Sequence, residues 1–273
     1  MGTLFLVATP IGNLEDISQR ALRILREVRL IAAEDTRHTR KLLDRYQITT
    51  PLLSYHEHNK LVRKDRLLAA LEAGDIALVS DAGTPGLSDP GFLLVHVALE
   101  AGHTVSPIPG PSAPIAALVA SGLPTETFIF LGYLPRKASE RRRFLNGLIH
   151  EQRTMIAFEV PHRLRAAMDD LVAVLGAERP VAVCRELTKV HEDILRGTLQ
   201  TARDHFHSVE PRGEFTLVIG GAAADVAWDE ASVRVALAKY LEEGLTPSEA
   251  AREVAAVSGW SRQEVYKLMT EEP

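Results

Sequence analysis

The chain has 273 residues, of which 36 are acidic and 31 are lysine or arginine, so its formal net charge at pH 7 is -5. With 46% apolar and 25% charged residues, the composition excludes collagen, low-complexity disorder and a coiled coil, and the length suggests about two domains. A membrane-spanning helix needs about 20 uninterrupted apolar residues. No stretch of the sequence approaches that length, so we expect no membrane partner.

The first 120 residues alternate short apolar runs with amphipathic stretches, a pattern that predicts strands followed by helices. The predicted strands are residues 4–8, 30–33, 76–80 and 104–108. Four helices are predicted between them. The first has Ile17, Ala21, Ile24, Leu25 and Val28 on its apolar face, and the second covers residues 36–46. The third begins at Asp89 and ends at Gly102, and the fourth is capped by Ser112. This alternation implies right-handed crossovers and a mostly parallel sheet.

The pattern changes in the second half of the chain. Strands over 128–131, 155–158, 181–184, 194–198 and 215–219, with a helix from about 164 to 175, predict a second α/β domain. Two capping boxes, Thr246 with Glu249 and Ser261 with Glu264, then predict short helices at the end of the chain. We therefore expect an α/β protein with an N-terminal domain (1–118), a second domain (119–224) and a C-terminal three-helix unit (225–273).

Processing and redox signals are few. The single cysteine, Cys184, excludes an internal disulfide and lies in an apolar run, where a small buried side chain is expected. The apolar start of the chain lacks the basic stretch of a signal peptide, which favours a cytoplasmic location.

The loops that follow the first strands are the candidate ligand site, because ligands of open α/β sheets bind beyond the carboxyl ends of the strands. The longest loop, residues 80–91, is rich in glycine and proline, and Asp81 at its start could accept hydrogen bonds from a ligand amine or hydroxyl. For Gly86 and Asp89 taken singly, a tight turn and a helix cap are the favoured explanation, whereas the whole loop favours a ligand site. The chain has no P-loop, dinucleotide fingerprint, nucleophile elbow or zinc spacing, so we expect no metal site. The residues alone predict a two-domain α/β enzyme with a small-ligand cleft.

Several uncommon sequence words occur in a fixed order along residues 3–220. They are VATPIGNL (7–14), AEDTR (33–37), SYHEHN (54–59), SDAGTPGLSDPG (80–91), PGPS (109–112), FEVPHR (158–163), RELTK (185–189) and GEF (213–215). In order and spacing they resemble the bacterial family of ribosomal RNA small subunit methyltransferases of type I, within the tetrapyrrole methylase superfamily. The C-terminal helices resemble the tail of that family more loosely.

The resemblance implies two α/β domains with S-adenosylmethionine in the cleft between them, usually in a homodimer. It also implies 2'-O-methylation of a cytidine ribose in the decoding region of 16S rRNA, with the RNA bound as part of the 30S subunit. Carried over motif by motif, the cofactor-binding residues would be Pro10, Asp81, Gly83, Thr84, Ser112, Ala113, Phe158, Glu159, Gly213 and Glu214. Tetrapyrrole methylases generally carry uncharged residues where Glu159 and Glu214 stand, and a buried acid there could instead brace the domain interface.

A ribose hydroxyl is a poor nucleophile, so a base should help to remove its proton. The candidates in polar loops are Glu34, Asp35 and His56. Asp35 could instead cap the following helix, and Glu34 could pair with Arg37.

Contacts with RNA should fall on local positive patches. The candidates are Arg37, Arg40, Lys41 and Arg45 in one helix, and Arg136, Arg141, Arg142 and Arg143 in a basic run. The alternative for such a run is a solvated helix face.

Two other functions stay open at this point. A methylase of a corrin or porphyrin precursor would share the fold, but that group usually has a GxGPG-like word after strand one, where this chain has TPIGN, and it lacks the helical tail. A non-catalytic RNA-binding or ribosome-assembly protein would not need the intact loop around Asp81. The tail itself could dock RNA or support a dimer.

Overall fold

The computed structural model describes residues 2–87, 91–223, 228–242 and 244–270. The chain forms two compact units, Met1–Gly221 and Ala222–Pro273. The first unit contains two five-stranded sheets. The domain boundary predicted at residue 118 lies inside a helix, and the connection between the sheets is further along, at 122–127; the boundary predicted at 224 lies outside the described residues.

The first sheet is wholly parallel, where the sequence predicted a mostly parallel one. Its strands are β1 (Thr3–Val7), β2 (Leu30–Ala33), β3 (Leu52–Ser54), β4 (Ile76–Val79) and β5 (Thr104–Ile108), in the order β3-β2-β4-β1-β5. Its helices are α1 (Gln19–Glu27), α2 (Thr36–Arg45), α3 (Lys60–Glu72), α4 (Gly91–Glu100) and α5 (Ala113–Ser121). Because every strand runs the same way, the loops after β1, β2, β4 and β5 meet at one edge of the sheet.

Local signals in the sequence explain the helix ends. The hydroxyl of Ser18 accepts a hydrogen bond from the N–H of Ala21 and so caps α1, whose predicted apolar face is buried. Helix α5 begins after Ser112, as predicted, but the Ser112 side chain makes no capping hydrogen bond. The cap predicted at Asp89 lies outside the described residues.

The second sheet is mixed. Its strands are β6 (Phe128–Tyr133), β7 (Thr154–Glu159), β8 (Pro180–Arg185), β9 (Asp193–Thr198) and β10 (Phe215–Ile219), in the order β6-β7-β10-β8-β9. Its helices are α6 (Ala138–Asn146), α7 (Pro161–Leu175) and α8 (Leu199–Ser208). Only β6 and β7 pair in parallel; β10 lies antiparallel between β7 and β8.

Helix α5 joins the two halves of the first unit. Its buried Ala117 and Leu118 pack in one apolar cluster with Ile156, Ala182 and Val218 of the second sheet. Burial of apolar surface is the main favourable term in such packing, so this cluster fixes the second sheet against the helix that follows β5.

The C-terminal unit contains α9 (Glu230–Glu242), α10 (Pro247–Ser258) and α11 (Arg262–Thr270). Both predicted capping boxes are present, since each cap hydroxyl and the glutamate three residues later exchange hydrogen bonds with backbone N–H groups. Val233, Leu237 and Val254 lie in a small buried core of this unit. Within the described parts of the chain, no helix is long and apolar enough to span a membrane.

Candidate active site

A cleft of about 330 Å³, here called the main cleft, opens where the loop edge of the first sheet faces the second sheet. This volume lies in the usual range for small-ligand sites, about 300–1,000 Å³. The residues that line it are Ile11, Glu34, Ser80, Asp81, Ala82, Gly83, Thr84, Leu87, Ser112, Ala113, Pro114, Tyr133, Phe158, Glu159, Val160, Pro161, Gly213, Glu214, Phe215 and Thr216.

Nine of the ten predicted cofactor residues line the main cleft, and Pro10 does not. Pro10 instead lines an adjacent cavity of about 20 Å³, here called the small cavity. The small cavity is lined by Thr9, Pro10, Leu14, His38, Thr39, Leu42, Ser80 and Asp81. Ser80 and Asp81 therefore form the wall between the two spaces.

Hydrogen bonds between loops hold one side of the main cleft in place. Thr9 and Gly83 exchange two backbone hydrogen bonds with N···O distances of 2.9 and 3.0 Å. The hydroxyl of Thr84 donates to the carbonyl of Pro111 at 3.2 Å. Gly83 has a φ of 78°, which few residues other than glycine adopt. The loops after β1, β4 and β5 thus form one ordered wall, which lowers the ordering cost of binding.

Asp81 connects this wall to the loop after β2. Its Oδ1 accepts a hydrogen bond from the backbone N–H of Asp35 at 2.8 Å. The negative charge of Asp81 is therefore fixed at the junction of the main cleft and the small cavity.

The three candidate bases lie in different surroundings. Glu34 is half-buried and lines the main cleft, directly after β2. Asp35 is the N-cap of α2, the alternative that the sequence left open, and its carboxylate is paired with Arg37 at 2.8 Å. Hydrogen bonds from Arg37 hold the pKa of Asp35 well below its usual range, which makes it a weak base. His56 lines neither cavity, and its Nε2 lies 3.1 Å from the side-chain nitrogen of Asn59.

Glu159 is a buried carboxyl at the back of the main cleft. Burial raises its pKa, while the N–H of Val160 at 2.8 Å and the guanidinium of Arg163 at 3.1 Å act in the opposite direction. Arg163 also donates to the carbonyl of Leu134. The carboxyl of Glu159 thus ties the end of β7 to the first turn of α7, within the half of the chain that holds the second sheet, and not across the domain interface that the sequence left open.

Glu214 belongs to a network at the rim of the main cleft. Lys189 Nζ lies 2.8 Å from Glu186 Oε1 and 3.0 Å from Glu214 Oε2. Glu186 Oε1 also accepts the backbone N–H of Glu214 at 2.9 Å. Residues 186–189, here called the bridging segment, therefore hold Gly213 and Glu214 in position.

The bridging segment also reaches the loop after β1. The hydroxyl of Thr188 accepts the N–H of Asn13 at 3.0 Å, and a Cβ at Gly12 would lie 2.5 Å from Cγ of Lys189. Glu186 and Thr188 have φ angles of 52° and 65°, a conformation that is strained for such side chains. The bridging segment thus contacts the loop after β1 on one side of the main cleft and Glu214 on the other.

The cations predicted to contact RNA divide into two groups. Arg37, Arg40, Lys41 and Arg45 are exposed on α2, although Arg37 also pairs with Asp35. Arg136 and Arg143 are exposed as well. Their role as RNA contacts stays a prediction.

The prediction is wrong for Arg141. Its side chain is 4% exposed and is paired at 2.5 Å with Asp170, which is equally buried. Arg142 lies on the surface, but its Nε is bound to the same aspartate at 2.5 Å. The basic run alternates between core and surface because α6 packs one face against α7, so three consecutive arginines do not share one surface.

Tyr133 is a cleft residue that the sequence reasoning missed. It lies at the end of β6 and contacts the ring of Phe158, with 5.4 Å between ring centroids. Burial raises its pKa, and the negative charges of Glu214 and Glu159 add to that shift, so its hydroxyl stays protonated and able to donate. The only sequence signal was its position at the end of an apolar run.

Comparison with known proteins identifies the family. The sequence profile of the tetrapyrrole (corrin/porphyrin) methylases matches residues 3–203. The chain belongs to this family. The family and the α/β fold predicted from the sequence words are thereby confirmed.

Proteins named ribosomal RNA small subunit methyltransferase I are close in sequence to this methylase along nearly its whole length. The one from Synechocystis sp. is 52% identical, with 99% of this chain and 98% of the relative covered. The one from Halalkalibacterium halodurans is 46% identical, with 99% and 96% covered. Within the methylase family the chain thus groups with these proteins.

Solved structures show the same fold at low sequence identity. Uroporphyrin-III C-methyl transferase from Thermus thermophilus, complexed with S-adenyl homocysteine, has a TM-score of 0.57 at 18% identity, with 80% of this chain and 97% of that chain covered. A conserved hypothetical protein from Aeropyrum pernix K1 has a TM-score of 0.63 at 18% identity, with 98% and 94% covered. The fold of this methylase is therefore shared with enzymes of tetrapyrrole chemistry.

Proposed function

We propose that the chain is an S-adenosylmethionine-dependent methyltransferase of the small-subunit ribosomal RNA. In finer terms, we propose that it methylates the 2'-hydroxyl of a cytidine in the decoding region of 16S rRNA, in the cytoplasm. The observation that carries the proposal is the near full-length identity of 46–52% to relatives named for this substrate, in a chain whose main cleft has the size of a small-ligand site.

The residues of the main cleft fit the cofactor. A methionine end needs polar partners, which the hydroxyl of Ser112 and the backbone of Ala113 would supply. An adenosine end needs an apolar wall with polar edges, which Phe158 and the Gly213–Glu214 backbone supply. When bound, S-adenosylmethionine supplies an electrophilic methyl group on a sulfonium.

The chain's own part in the reaction is to position a ribose hydroxyl and to accept its proton. Methyl transfer is an in-line displacement, so orientation of the two reactants is the larger contribution. We propose Glu34 as the base, because it lines the main cleft whereas Asp35 caps α2 and His56 lines neither cavity. Glu34 follows Ala33, which is paired with Val79, and so lies beside the Ser80–Asp81 wall.

We propose that RNA lies along α2 and reaches the cleft from that side. Arg40, Lys41 and Arg45 are exposed on this helix, and the small cavity is bounded by the same helix. Phosphate contacts of this kind position RNA without reading its sequence.

We also propose a homodimer. Phe92 and Leu99 on α4, and Ile115 and Val119 on α5, are exposed apolar side chains on the helices that precede and follow β5. We propose that these side chains lie in the dimer interface. Sedimentation of the wild type and of a Phe92→Ser, Val119→Ser variant would test this surface.

A corrin or porphyrin methylase remains the second candidate, since the family includes such enzymes. The sequence comparison favours rRNA, because solved structures of that chemistry are only 17–20% identical and cover 80% of this chain. A non-catalytic RNA-binding protein would have no need for the ordered cleft.

The test combines cofactor binding with mapping of the product. Calorimetry should show binding of S-adenosylhomocysteine in the presence of a chelator, and Asp81→Ala should weaken it by roughly ten- to a hundredfold. Ribose-methylation mapping would compare small-subunit rRNA from cells with and without the gene. The rRNA from cells without it should lack one methylated cytidine. No cofactor binding would contradict the enzyme, and an unchanged map would contradict the substrate.

A further inference from the structure

A β-bulge near the end of β6 determines the face on which Tyr133 lies. Phe130 pairs with Ile156 and Tyr133 pairs with Phe158, so β6 has one residue more than β7 over this stretch. Successive side chains of a strand point to opposite faces, so without the extra residue Tyr133 would lie on the face opposite to Phe130. Gly132, within the bulge, has a φ of 65°, which glycine adopts without strain. The bulge therefore brings Tyr133 onto the face that carries Phe130 and Phe158.

These three side chains form an aromatic row. The ring centroids of Phe130 and Phe158 are 5.1 Å apart, and those of Phe158 and Tyr133 are 5.4 Å apart. Phe130 packs in the apolar cluster between α5 and the second sheet, whereas Phe158 and Tyr133 line the main cleft. The row thus runs from the apolar packing around α5 into the main cleft.

Tyr133 is the exposed end of this row. It is 53% exposed, whereas Phe130 and Phe158 are half-buried. Contact with Phe158 holds one side of its ring, and the rest of the ring is open to a ligand in the main cleft. An aromatic ring fixed in this way is a stacking surface for a nucleobase, and its prior fixing lowers the cost of binding.

The charges around Tyr133 show which walls of the main cleft it faces. Burial is the main cause of its raised pKa, and the carboxylates of Glu214, Glu159 and Glu34 add to that shift. Glu34 follows β2 in the first sheet, so its charge acts on Tyr133 from the other side of the main cleft. Negative surroundings disfavour a phosphate at this point and suit an uncharged base.

The position of Glu34 links the ring to the acceptor nucleotide. Glu34 is the proposed base for the ribose hydroxyl, and it lines the same cleft as Tyr133. In a nucleotide the base and the 2'-hydroxyl are carried by adjacent carbons of the ribose. A nucleotide whose hydroxyl lies at Glu34 therefore has its base nearby, where an exposed ring can hold it.

We propose that Tyr133 is the stacking residue of the acceptor site, on which the target base of the RNA lies while its ribose hydroxyl is at Glu34. The proposal rests on the proposed function and identifies a residue of its substrate side. Phe158 supports the ring from the inner side of the main cleft, where the cofactor is expected. Stacking accepts any base, so Tyr133 positions the nucleotide without reading its identity.

Two variants separate the ring from its hydroxyl. Tyr133→Leu removes the aromatic ring, and Tyr133→Phe removes the hydroxyl alone. Phe128→Leu is the matched control, because Phe128 is an exposed aromatic residue at the other end of β6 and does not line the main cleft.

The first experiment measures the affinity for S-adenosylhomocysteine by calorimetry. All three variants should bind it within about twofold of the wild type, because a charge-assisted hydrogen bond to the cofactor is not removed. A fall of about tenfold or more in Tyr133→Leu would overturn the proposal, since the ring would then belong to the cofactor site or to its support.

The second experiment measures methylation of 30S subunits from cells without the gene. At saturating subunits, Tyr133→Leu should be about five- to a hundredfold slower than the wild type, which is the usual effect of losing one base stack. Its KM for the subunits should stay within about twofold, because the cations of α2 are intact while the target base is no longer held in position. Tyr133→Phe and Phe128→Leu should keep the wild-type rate and KM.

The outcomes separate this proposal from the proposed function. A slower rate in Tyr133→Leu alone supports the stacking role. A wild-type rate in Tyr133→Leu, a rise in its KM with an unchanged rate, or an equal loss in Tyr133→Phe would each overturn it. A wild type that binds S-adenosylhomocysteine but methylates no ribose of the subunit contradicts the proposed function instead.

Discussion

The guanidinium of Arg141 and the carboxylate of Asp170 form a buried ion pair, with 2.8 Å between Nε and Oδ2. The other guanidinium nitrogens donate to the carbonyls of Pro135, Arg136 and Ala166. The pair joins α6 to α7 beneath the surface on which RNA contacts were predicted. Because its donors are used inside the protein, Arg141 holds the helices together and does not contact phosphate.

We predict that Arg141→Ala lowers the free energy of unfolding by about 3–5 kcal/mol, because it leaves the carboxylate of Asp170 buried without its main partner. Urea unfolding would measure the difference. Arg143→Ala, on the exposed side of the same helix, is the matched control and should change stability by less than about 0.5 kcal/mol. Equal effects of the two substitutions would contradict the structural role of Arg141.

With Arg141 excluded, the expected RNA contacts are the cations of α2 together with the exposed Arg136 and Arg143. Replacing Arg40, Lys41 and Arg45 with alanine should flatten the slope of log affinity against log salt by about two to three, if all three contact phosphate. The affinity for S-adenosylhomocysteine should not change, since these side chains do not line the main cleft.

A triple alanine variant at Arg153, Arg203 and Arg212 is the control for loss of charge. These surface arginines are paired with acids around the second sheet. The control should keep the wild-type slope for RNA binding. A control slope that falls as much as that of the α2 variant would mean that general charge, and not α2, governs binding.

The first sheet and its side of the cleft followed from the sequence, because parallel strands place their following loops at one edge. The second-sheet side, with Phe158 and Glu214, followed only from the family resemblance. Asp81 and Ser112 could be assigned to that edge from strand ends alone. Strand β3 was missed because Leu52–Ser54 is too short for an alternating pattern to be visible. Its adjoining helix, α3, was missed with it.

The strand order of the second sheet could not be predicted from sequence patterns. Strand β10 lies between β7 and β8 in the sheet, although it follows both of them in the sequence after β9 and α8. Only three-dimensional packing decides that order. The same holds for Arg141, since its burial depends on Asp170 in a different helix. The bridging segment could not be foreseen either, because its positive φ angles occur at glutamate and threonine rather than at glycine.

Glu159 should make stability depend on pH. Burial raises its pKa above the ordinary value of 4.5, so its contribution to stability is complete below pH 4.5 and is lost as the pH rises through the raised pKa. Glu159→Gln stays neutral, so its stability relative to the wild type should increase as the pH rises over that range. Urea unfolding at a series of pH values would measure this.

Glu140→Gln, on exposed α6, is the matched control for that pH series. It should leave the dependence on pH as it is in the wild type. A constant difference between Glu159→Gln and the wild type at every pH would mean that folding leaves the pKa of Glu159 unchanged, which would contradict the prediction.

The bridging segment should control cofactor affinity through packing at Gly12. A methyl group there would meet Lys189 Cγ at 2.5 Å and the carbonyl oxygen of Leu187 at 2.8 Å, so Gly12→Ala must displace the segment. Because the segment holds Gly213 and Glu214, we expect affinity for S-adenosylhomocysteine to fall by about tenfold, the effect of losing one charge-assisted hydrogen bond. Calorimetry would measure this fall.

Three further variants decide whether the effect passes through the bridging segment. Lys189→Met removes the ion pairs with Glu186 and Glu214 and should weaken binding in the same direction, whereas Lys137→Met removes only an exposed pair with Glu140 and should not. Gly147→Ala controls for the added methyl, because a Cβ there meets its nearest atom at an ordinary 3.4 Å. If Gly12→Ala and Lys189→Met bound the cofactor product as tightly as these two controls, the main cleft would keep its shape without the segment. Its strained φ angles would then need another explanation.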